Sequence, residues 1–263
     1  MAVTSIVAAI AAAALLLQQP ETLSLLGEPL YPPSLDKKAR AAAESEYATA
    51  RTAYEQQARD RAAILAFARA NLALGRVGDA LEVLTHGLEA IPDDPALLLE
   101  RGRGYILIRK FVVAERDLRP AAATLPAAKC ALAFAVYLTG DFPRARDAYA
   151  SCPEPDLFSR LAPLRIGPHV THTPSVTSPK KGTVPFFPGS VAMQKKAPVE
   201  PLEARYSKAI ARLLDGDEDA AREELGKIVD KYRRNTWMEP VYIAAEADYT
   251  RLKKAEPKKK KKK

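Results

Sequence analysis

The chain has few of the residues that build sheets, metal sites and redox centres. Its 263 residues include only two cysteines and three histidines, and aromatic residues make up 7%. Long alternating runs of β-branched residues do not occur, so a fold based on sheets is not expected. There is no Cys-x-x-Cys pair and no Cys/His spacing typical of a zinc site. Alanine and leucine dominate the hydrophobic 48%, which favours closely packed helices.

Motifs of the common catalytic sites are also missing. The sequence has no Gly-x-Ser-x-Gly, His-Glu-x-x-His, Gly-x-x-x-x-Gly-Lys or Gly-x-Gly-x-x-Gly. His169 and His172 have no carboxylate or cysteine near them in sequence, and two ligands bind a metal weakly. Asp215, Asp217 and Asp219 have the spacing that opens a calcium loop, but the later ligands of such a loop are absent. We therefore expect no catalysis, cofactor or metal, and interpret these aspartates as turn and N-cap residues.

Positive charge is in excess but is concentrated at the C-terminus. The formal net charge is +8, and the lysines at 253–254 and 258–263 account for all of it. The body of the chain is therefore not predicted to be a basic nucleic-acid-binding surface. The terminal run either contacts an anionic surface (lipid, nucleic acid or acidic polymer) or is only a solubilising tail. Its residues are Lys258, Lys259, Lys260, Lys261, Lys262 and Lys263.

The N-terminus contains an apolar run from Ile6 to Leu17, about the length of a signal-peptide core. The first basic residue is Lys37, and no clear Ala-x-Ala site follows the run, so a signal peptide over 1–20 would be atypical. We expect export to the periplasm or the medium. A cytoplasmic protein with an alanine-rich N-terminal helix is the alternative.

A 34-residue repeat is the strongest pattern in the chain. Its landmarks Ala80, Leu84, Gly87 and Pro92 recur as Ala114, Leu118, Ala121 and Pro126. Helical patterns bounded by glycine or proline cover 36–57, 62–74, 79–90, 96–108 and 112–125. A third unit over 127–151 follows at a spacing of 31 residues, and a weaker fourth unit covers 202–233. A fixed period indicates a stack of structural units rather than a globular enzyme.

These residues resemble the tetratricopeptide repeat family, whose 34-residue helix–turn–helix places small residues between its helices and closes with proline. The small pairs would be Ala68 with Ala80 and Gly102 with Ala114. The resemblance implies an all-α fold, an α-solenoid of tetratricopeptide-like helix–turn–helix repeats interrupted by a Pro-rich linker. It also implies a non-catalytic scaffold for protein–protein interaction.

The resemblance covers residues 62–152 well and 202–233 loosely. It departs from the family near the start of the first helix, where Ile64 and Leu98 replace an aromatic residue. A generic helical bundle rich in alanine and leucine is the alternative interpretation. A third possibility for the function is an accessory domain of a larger enzyme assembly.

In such a solenoid the first helices of successive units line a concave groove. Arg69 and Arg103, which are 34 residues apart, would project into it one above the other. We expect the groove to bind a peptide or protein segment with acidic groups, and expect no small-molecule substrate. Ordinary solvated charge is the alternative for both arginines. The predicted lining residues are Leu65, Arg69, Leu99, Arg103, Phe134 and Tyr137.

The regions outside the repeats are predicted to differ in order. Residues 21–35 are expected to be irregular, and 153–201, which hold ten of the 21 prolines, to be a disordered linker. Residues 202–255 are expected to form the fourth pair and a cap helix, with Thr236 and Glu239 as a capping box before Pro240. Residues 256–263 are expected to be a solvated tail.

Cys130 and Cys152 would fall on the two helices of the third unit. A disulfide between them would close this hairpin and stabilise it by about 3 kcal/mol. Two small buried thiols are the alternative, since an even cysteine count permits a bond without requiring one.

Overall fold

The computed structural model of the chain describes residues 19–154, 156–166 and 201–255. Eleven helices and one pair of short strands form the regular structure of these residues. The helices are α1 (Lys37–Gln56), α2 (Arg61–Ala73), α3 (Val77–Ala90), α4 (Pro95–Leu107), α5 (Phe111–Ala122), α6 (Pro126–Thr139), α7 (Phe142–Tyr149), α8 (Leu157–Leu164), α9 (Leu202–Leu214), α10 (Glu218–Thr236) and α11 (Pro240–Ala255). The strands are β1 (Thr22–Leu23) and β2 (Pro29–Leu30), which pair antiparallel.

Consecutive helices pack on each other from α1 to α8 and again from α9 to α11. The all-α class predicted from the sequence is therefore confirmed. A single hydrophobic cluster extends from Leu30 through the helix pairs to Leu252, so both ends of the described chain share one core. None of the described helices combines the length and the apolarity that crossing a membrane requires.

Several predictions lie outside the described residues. They concern the signal peptide, whose residues 1–18 are not described, most of the Pro-rich linker with His169 and His172, and the terminal lysines.

Aspartate begins six of the described helices. In each case its carboxylate accepts a hydrogen bond from a backbone N–H of the first turn, a contact that contributes about 1 kcal/mol. The capping residues are Asp36, Asp60, Asp94, Asp141, Asp156 and Asp217. The prediction of Asp217 as an N-cap residue is thus confirmed, since it accepts from Ala220 N at 3.1 Å.

The second helices of four pairs, α3, α5, α7 and α10, begin in the same way. Two positions before each helix lies a residue with positive φ: Gly75, Arg109, Gly140 and Gly216. The fourth residue of each helix is a buried alanine: Ala80, Ala114, Ala145 and Ala221. Four residues later comes a second buried side chain: Leu84, Leu118, Tyr149 and Leu225. The 34- and 31-residue spacings of the sequence therefore correspond to repeated local structure.

Small residues let neighbouring helices approach closely. A Cβ atom at Gly102 of α4 would lie 2.6 Å from Cγ of Leu118 in α5, which is closer than real Cβ contacts. Gly87 of α3 is equally restricted, because a Cβ there would lie 2.7 Å from Ile64 of α2. Packing of adjacent helices thus depends on the absence of side chains at these two positions.

Two segments predicted to lack regular structure are ordered elements of the fold. In 21–35, the strands β1 and β2 form, and Leu30 is buried in the core. Within the predicted linker, α8 forms because Leu157, Phe158, Leu161 and Ala162 make one apolar stripe at helical spacing. The high proline content of 153–201 argued against a helix here, but the eight residues of α8 contain only one proline, near their end.

The last helix, which the sequence predicts as a cap over one end of the stack, is buried along most of its length. Residues Val241–Asp248 of α11 are all buried, so the helix is enclosed rather than covering one end. Pro240 is its first residue as expected, but the capping box is wrong: Thr236 ends α10 and its hydroxyl donates to Tyr232 O at 2.8 Å.

Candidate functional site

The first helices α2 and α4 lie side by side and carry four of the six residues predicted to line a groove. Ala62, Ala66 and Arg69 form an exposed stripe along α2. Beside them, Leu65 is half-buried on α2. Leu99 of α4 is buried in the core, which corrects the prediction that it lines an open groove. We define the arginine face as the surface formed by Leu65, Arg69 and Arg103, together with the buried Glu100 that joins the two arginines.

Glu100 joins the two arginines of this face. Its Oε1 accepts hydrogen bonds from Arg69 Nε at 3.1 Å and Nη2 at 2.8 Å, and from Arg103 Nη1 at 3.4 Å. The carboxylate is 1% exposed, whereas the side chains of Arg69 and Arg103 are 45% and 14% exposed. Burial lowers the pKa of Arg103, and the Glu100 carboxylate opposes that effect.

This arrangement leaves one net positive charge on the face and one unused acceptor. Glu100 Oε2 is buried and has no hydrogen-bond partner among the residues that the structure describes. Sequence reasoning named both arginines but missed Glu100. The i, i+3 spacing of Glu100 and Arg103 on one helix was the available signal.

Phe134 and Tyr137 do not line an open groove, which corrects the prediction for both. They are 1% and 0% exposed. The ring of Phe158 in α8 lies 4.6 Å from that of Phe134 and 5.2 Å from that of Tyr137, between ring centroids. Tyr206 of α9 adds a hydroxyl contact to Tyr137 at 2.9 Å. The chain's own helices thus cover α6, because aromatic side chains of this size gain most from burial.

Cys130 and Cys152 are joined by a disulfide, with their Cα atoms 4.8 Å apart. The bond fastens the segment after α7 to α6 and closes a loop with a sequence separation of 22 residues. Since α8 begins soon afterwards at Leu157, the bond also restrains the helix that covers Phe134.

A buried polar network fixes the C-terminal helices against α6. Asp248 of α11 accepts hydrogen bonds from Arg165 Nη1 and from the Tyr206 hydroxyl, each at 2.7 Å. Arg165 also donates to the Tyr137 hydroxyl at 3.2 Å. Burial alone would raise the pKa of Asp248, but the charges of Arg165 and Arg251 and these hydrogen bonds outweigh it and lower the pKa to about 2.

A second buried pair connects α11 to the turn between α4 and α5. Arg109 donates to Glu246 Oε2 through Nε at 2.8 Å, and its Nη2 lies 2.7 Å from the same oxygen. The other carboxylate oxygen accepts from Leu25 N at 2.8 Å. Arg109 Nη2 further donates to Trp237 O at 3.0 Å. Four separate parts of the chain therefore meet at one carboxylate and one guanidinium.

The arginine face presents hydrogen-bond donors that are chemically suited to acidic groups. The guanidinium of Arg69 is partly exposed and presents several N–H donors in a geometry that matches carboxylates. Across 19–154, 156–166 and 201–255, no group of three or more His, Cys, Asp or Glu side chains is placed to hold a metal ion. Comparison with protein-family models, curated proteins and solved structures found no match to this chain.

Proposed function

We propose that the chain is a non-catalytic interaction scaffold built from tetratricopeptide-like helix pairs, which binds an acidic protein segment on the arginine face. One observation carries the proposal. At the third unit, the position that corresponds to Arg103 is Phe134, and the chain's own α8 covers it. At the first two units the same face carries Arg69 and Arg103, and the partly exposed Arg69 leaves it accessible.

The shared pattern of the second helices supports the tetratricopeptide type of the repeats. Buried Ala80 and Ala114 lie at the same helical position and follow turns that have a positive-φ residue at the same place. Such turns and small contacts between paired helices are what the family resemblance implies for these residues.

Glu100 gives the proposed site its orientation. It holds the Arg69 guanidinium through two N–H groups of one edge, so a partner carboxylate can approach the remaining donors. A preoriented guanidinium loses less side-chain entropy on binding than a free one. Half-buried Leu65 adds apolar area beside the charge.

Site-specific crosslinking tests this proposal. A photoreactive residue replaces Ala66, which is exposed on α2, and in a second protein replaces Arg116, which is exposed on α5. In cells that make the full chain, position 66 should capture one defined protein that position 116 does not capture.

Matched charge reversals complete the test. Arg69→Glu should reduce capture from position 66 at least tenfold, while Arg116→Glu should leave it within twofold. The proposal is rejected if no protein is captured from position 66, if position 116 captures the same protein equally, or if both reversals act alike.

Export remains part of the proposal. The Cys130–Cys152 disulfide supports it, because structural disulfides form mainly in oxidising compartments. Mass spectrometry of the protein isolated from its own cells tests this. Loss of the N-terminal apolar run is expected, and an intact Met1 with reduced cysteines would contradict export.

A further inference from the structure

A cavity lies away from the arginine face, between the two ends of the described chain. Its volume is about 620 Å³, which is within the range of small-molecule sites. The segment from Pro29 to Leu35 forms one wall, α1 and the α2–α3 turn form others, and the end of α10 closes it. Because these parts are distant in sequence, the cavity exists only in the folded chain.

The walls of this cavity are held in place by specific contacts. Trp237 Nε1 donates to Tyr31 O at 2.7 Å, which fixes the first wall to the end of α10. Pro33 packs on Gly75, where a Cβ atom would lie 2.8 Å from Cδ of the proline. Leu30 and Leu35 point into the core and are buried. The shape is therefore preformed and does not need a ligand to order it.

The charges that line the cavity are strongly unbalanced. Four arginines, Arg40, Arg76, Arg233 and Arg234, contribute to the lining, against the single carboxylate of Glu44. That carboxylate lies 3.8 Å from Arg40 Nη1, a long contact between two exposed side chains. In a concave site, such an excess concentrates a positive potential.

Two of these arginines form no direct ion pair, although the charge of Arg76 acts on the carboxylate of Glu21 and lowers its pKa, against the larger effect of burial. Among the described residues, neither Arg76 nor Arg234 has an acidic group within ion-pair distance, whereas Arg233 contacts Glu28 at 3.2 Å. The Arg76 guanidinium instead lies over the Tyr47 ring, 4.8 Å from its centre, which holds the charge in position.

We propose that this cavity binds a small organic polyanion that carries carboxylate or phosphate groups. Planar guanidiniums bind both groups through paired hydrogen bonds, and several arginines around one cavity select for more than one negative charge. The partly exposed ring of Tyr31 and the adjacent prolines provide apolar contact for the ligand's carbon skeleton. This site is independent of the protein-binding role proposed for the arginine face.

Calorimetric titration of the full chain at low salt, with citrate, pyrophosphate and acetate as probes, tests the proposal. Citrate or pyrophosphate should bind with a Kd below about 1 mM, at least tenfold more tightly than acetate, and raised salt should weaken binding. The stronger of the two polyanions then identifies carboxylate or phosphate as the preferred group. Trp237, the single tryptophan, provides an independent fluorescence signal because it is bonded to the cavity wall.

Variants separate this site from general positive charge. Arg76→Gln with Arg234→Gln should weaken polyanion binding at least tenfold. The matched control, Arg116→Gln with Arg119→Gln on α5, makes the same charge change on an exposed surface away from the cavity and should alter it less than twofold. The proposal is overturned if no polyanion binds, or if the two double variants bind equally. Unchanged urea unfolding of both variants confirms that they are folded.

Discussion

Arg109 shows how one residue can satisfy a local turn and a long-range contact together. Its φ is 64°, at a position where the other three repeated turns have glycine. A left-handed backbone costs a residue with a side chain about 1–2 kcal/mol. The side chain offsets this cost, because it reaches the buried Glu246 of α11. Glycine would suit the turn better but would leave Glu246 without its guanidinium.

A double-mutant cycle tests this balance. Arg109→Gly should lower the free energy of unfolding by about 3 kcal/mol, because an unpaired buried carboxylate costs more than the backbone relief gains. Glu246→Met should also destabilise the protein. The double variant should lose less unfolding free energy than the two single variants lose together. The difference should be at least 1 kcal/mol, measured by urea unfolding. Additive losses would show that the pair is not coupled.

Glu239 should make stability depend on pH between about 4.5 and 7. Burial, with a smaller effect from the Glu203 charge, raises the pKa of Glu239 from 4.5 to about 7. The folded state therefore retains a proton that the unfolded state releases within this range, and stability falls as pH rises through it. Above pH 7 the loss is complete, and its size is on the order of 3 kcal/mol.

Glu239→Gln removes this titration and gives the measurement. The variant and the original protein should have similar unfolding free energies near pH 4.5, and the variant should be the more stable at pH 8. Asp248 does not interfere, because its lowered pKa of about 2 confines its effect to more acidic solutions. A constant difference across pH 4.5–8 would contradict the prediction.

At the scale of helices, the sequence predicted the repeats well. Predicted bounds such as 62–74 and 96–108 differ from α2 and α4 by a residue or two at their ends. Glycine, proline and the 34-residue period were sufficient because they act locally. The same local reasoning missed α8. Residues 153–201 were judged by their overall proline content, so four apolar residues at helical spacing within them were overlooked.

Two glycine variants should shift stability in opposite directions. Gly102→Ala should destabilise the protein by about 1–3 kcal/mol, since its methyl group would overlap Leu118. Gly78→Ala should stabilise it by about 0.5–1 kcal/mol, because Gly78 lies on an exposed part of α3 where a Cβ would make only an ordinary contact, 3.8 Å from Glu21 Oε2. Thermal unfolding of both variants measures this. Equal effects would contradict the close packing of α4 on α5.

The disulfide should stabilise the covering helix as well as the hairpin. Cys130→Ser with Cys152→Ser should lower the unfolding free energy by about 3 kcal/mol. It should also increase protease cleavage within α8 more than within α2. Equal protection of α8 in both proteins would show that packing of Phe158 alone holds it.

Across the whole molecule, the arrangement of α11 was beyond sequence reasoning. The helix carries Glu246 and Asp248, and acidic residues are rarely buried unless they are paired. Both acids are buried because Arg109 and Arg165, which are distant in sequence, pair with them. Predicting the burial of α11 would have required knowing which arginine pairs with which of its acids. The sequence could therefore name Arg69 and Arg103 as candidates, whereas it could not predict that Phe134 and Tyr137 are covered.

The enclosure of α11 is part of the packing of the C-terminal helices on the rest of the chain. The C-terminal helices help to cover α6 next to the arginine face, and the end of α10 closes the cavity. Hydrogen exchange of the full chain, followed by mass spectrometry, reports directly on the enclosure. Amides of residues 241–250 should exchange as slowly as those of α4 and α6. Fast exchange in this segment, at the rate of a fraying terminal helix, would contradict it.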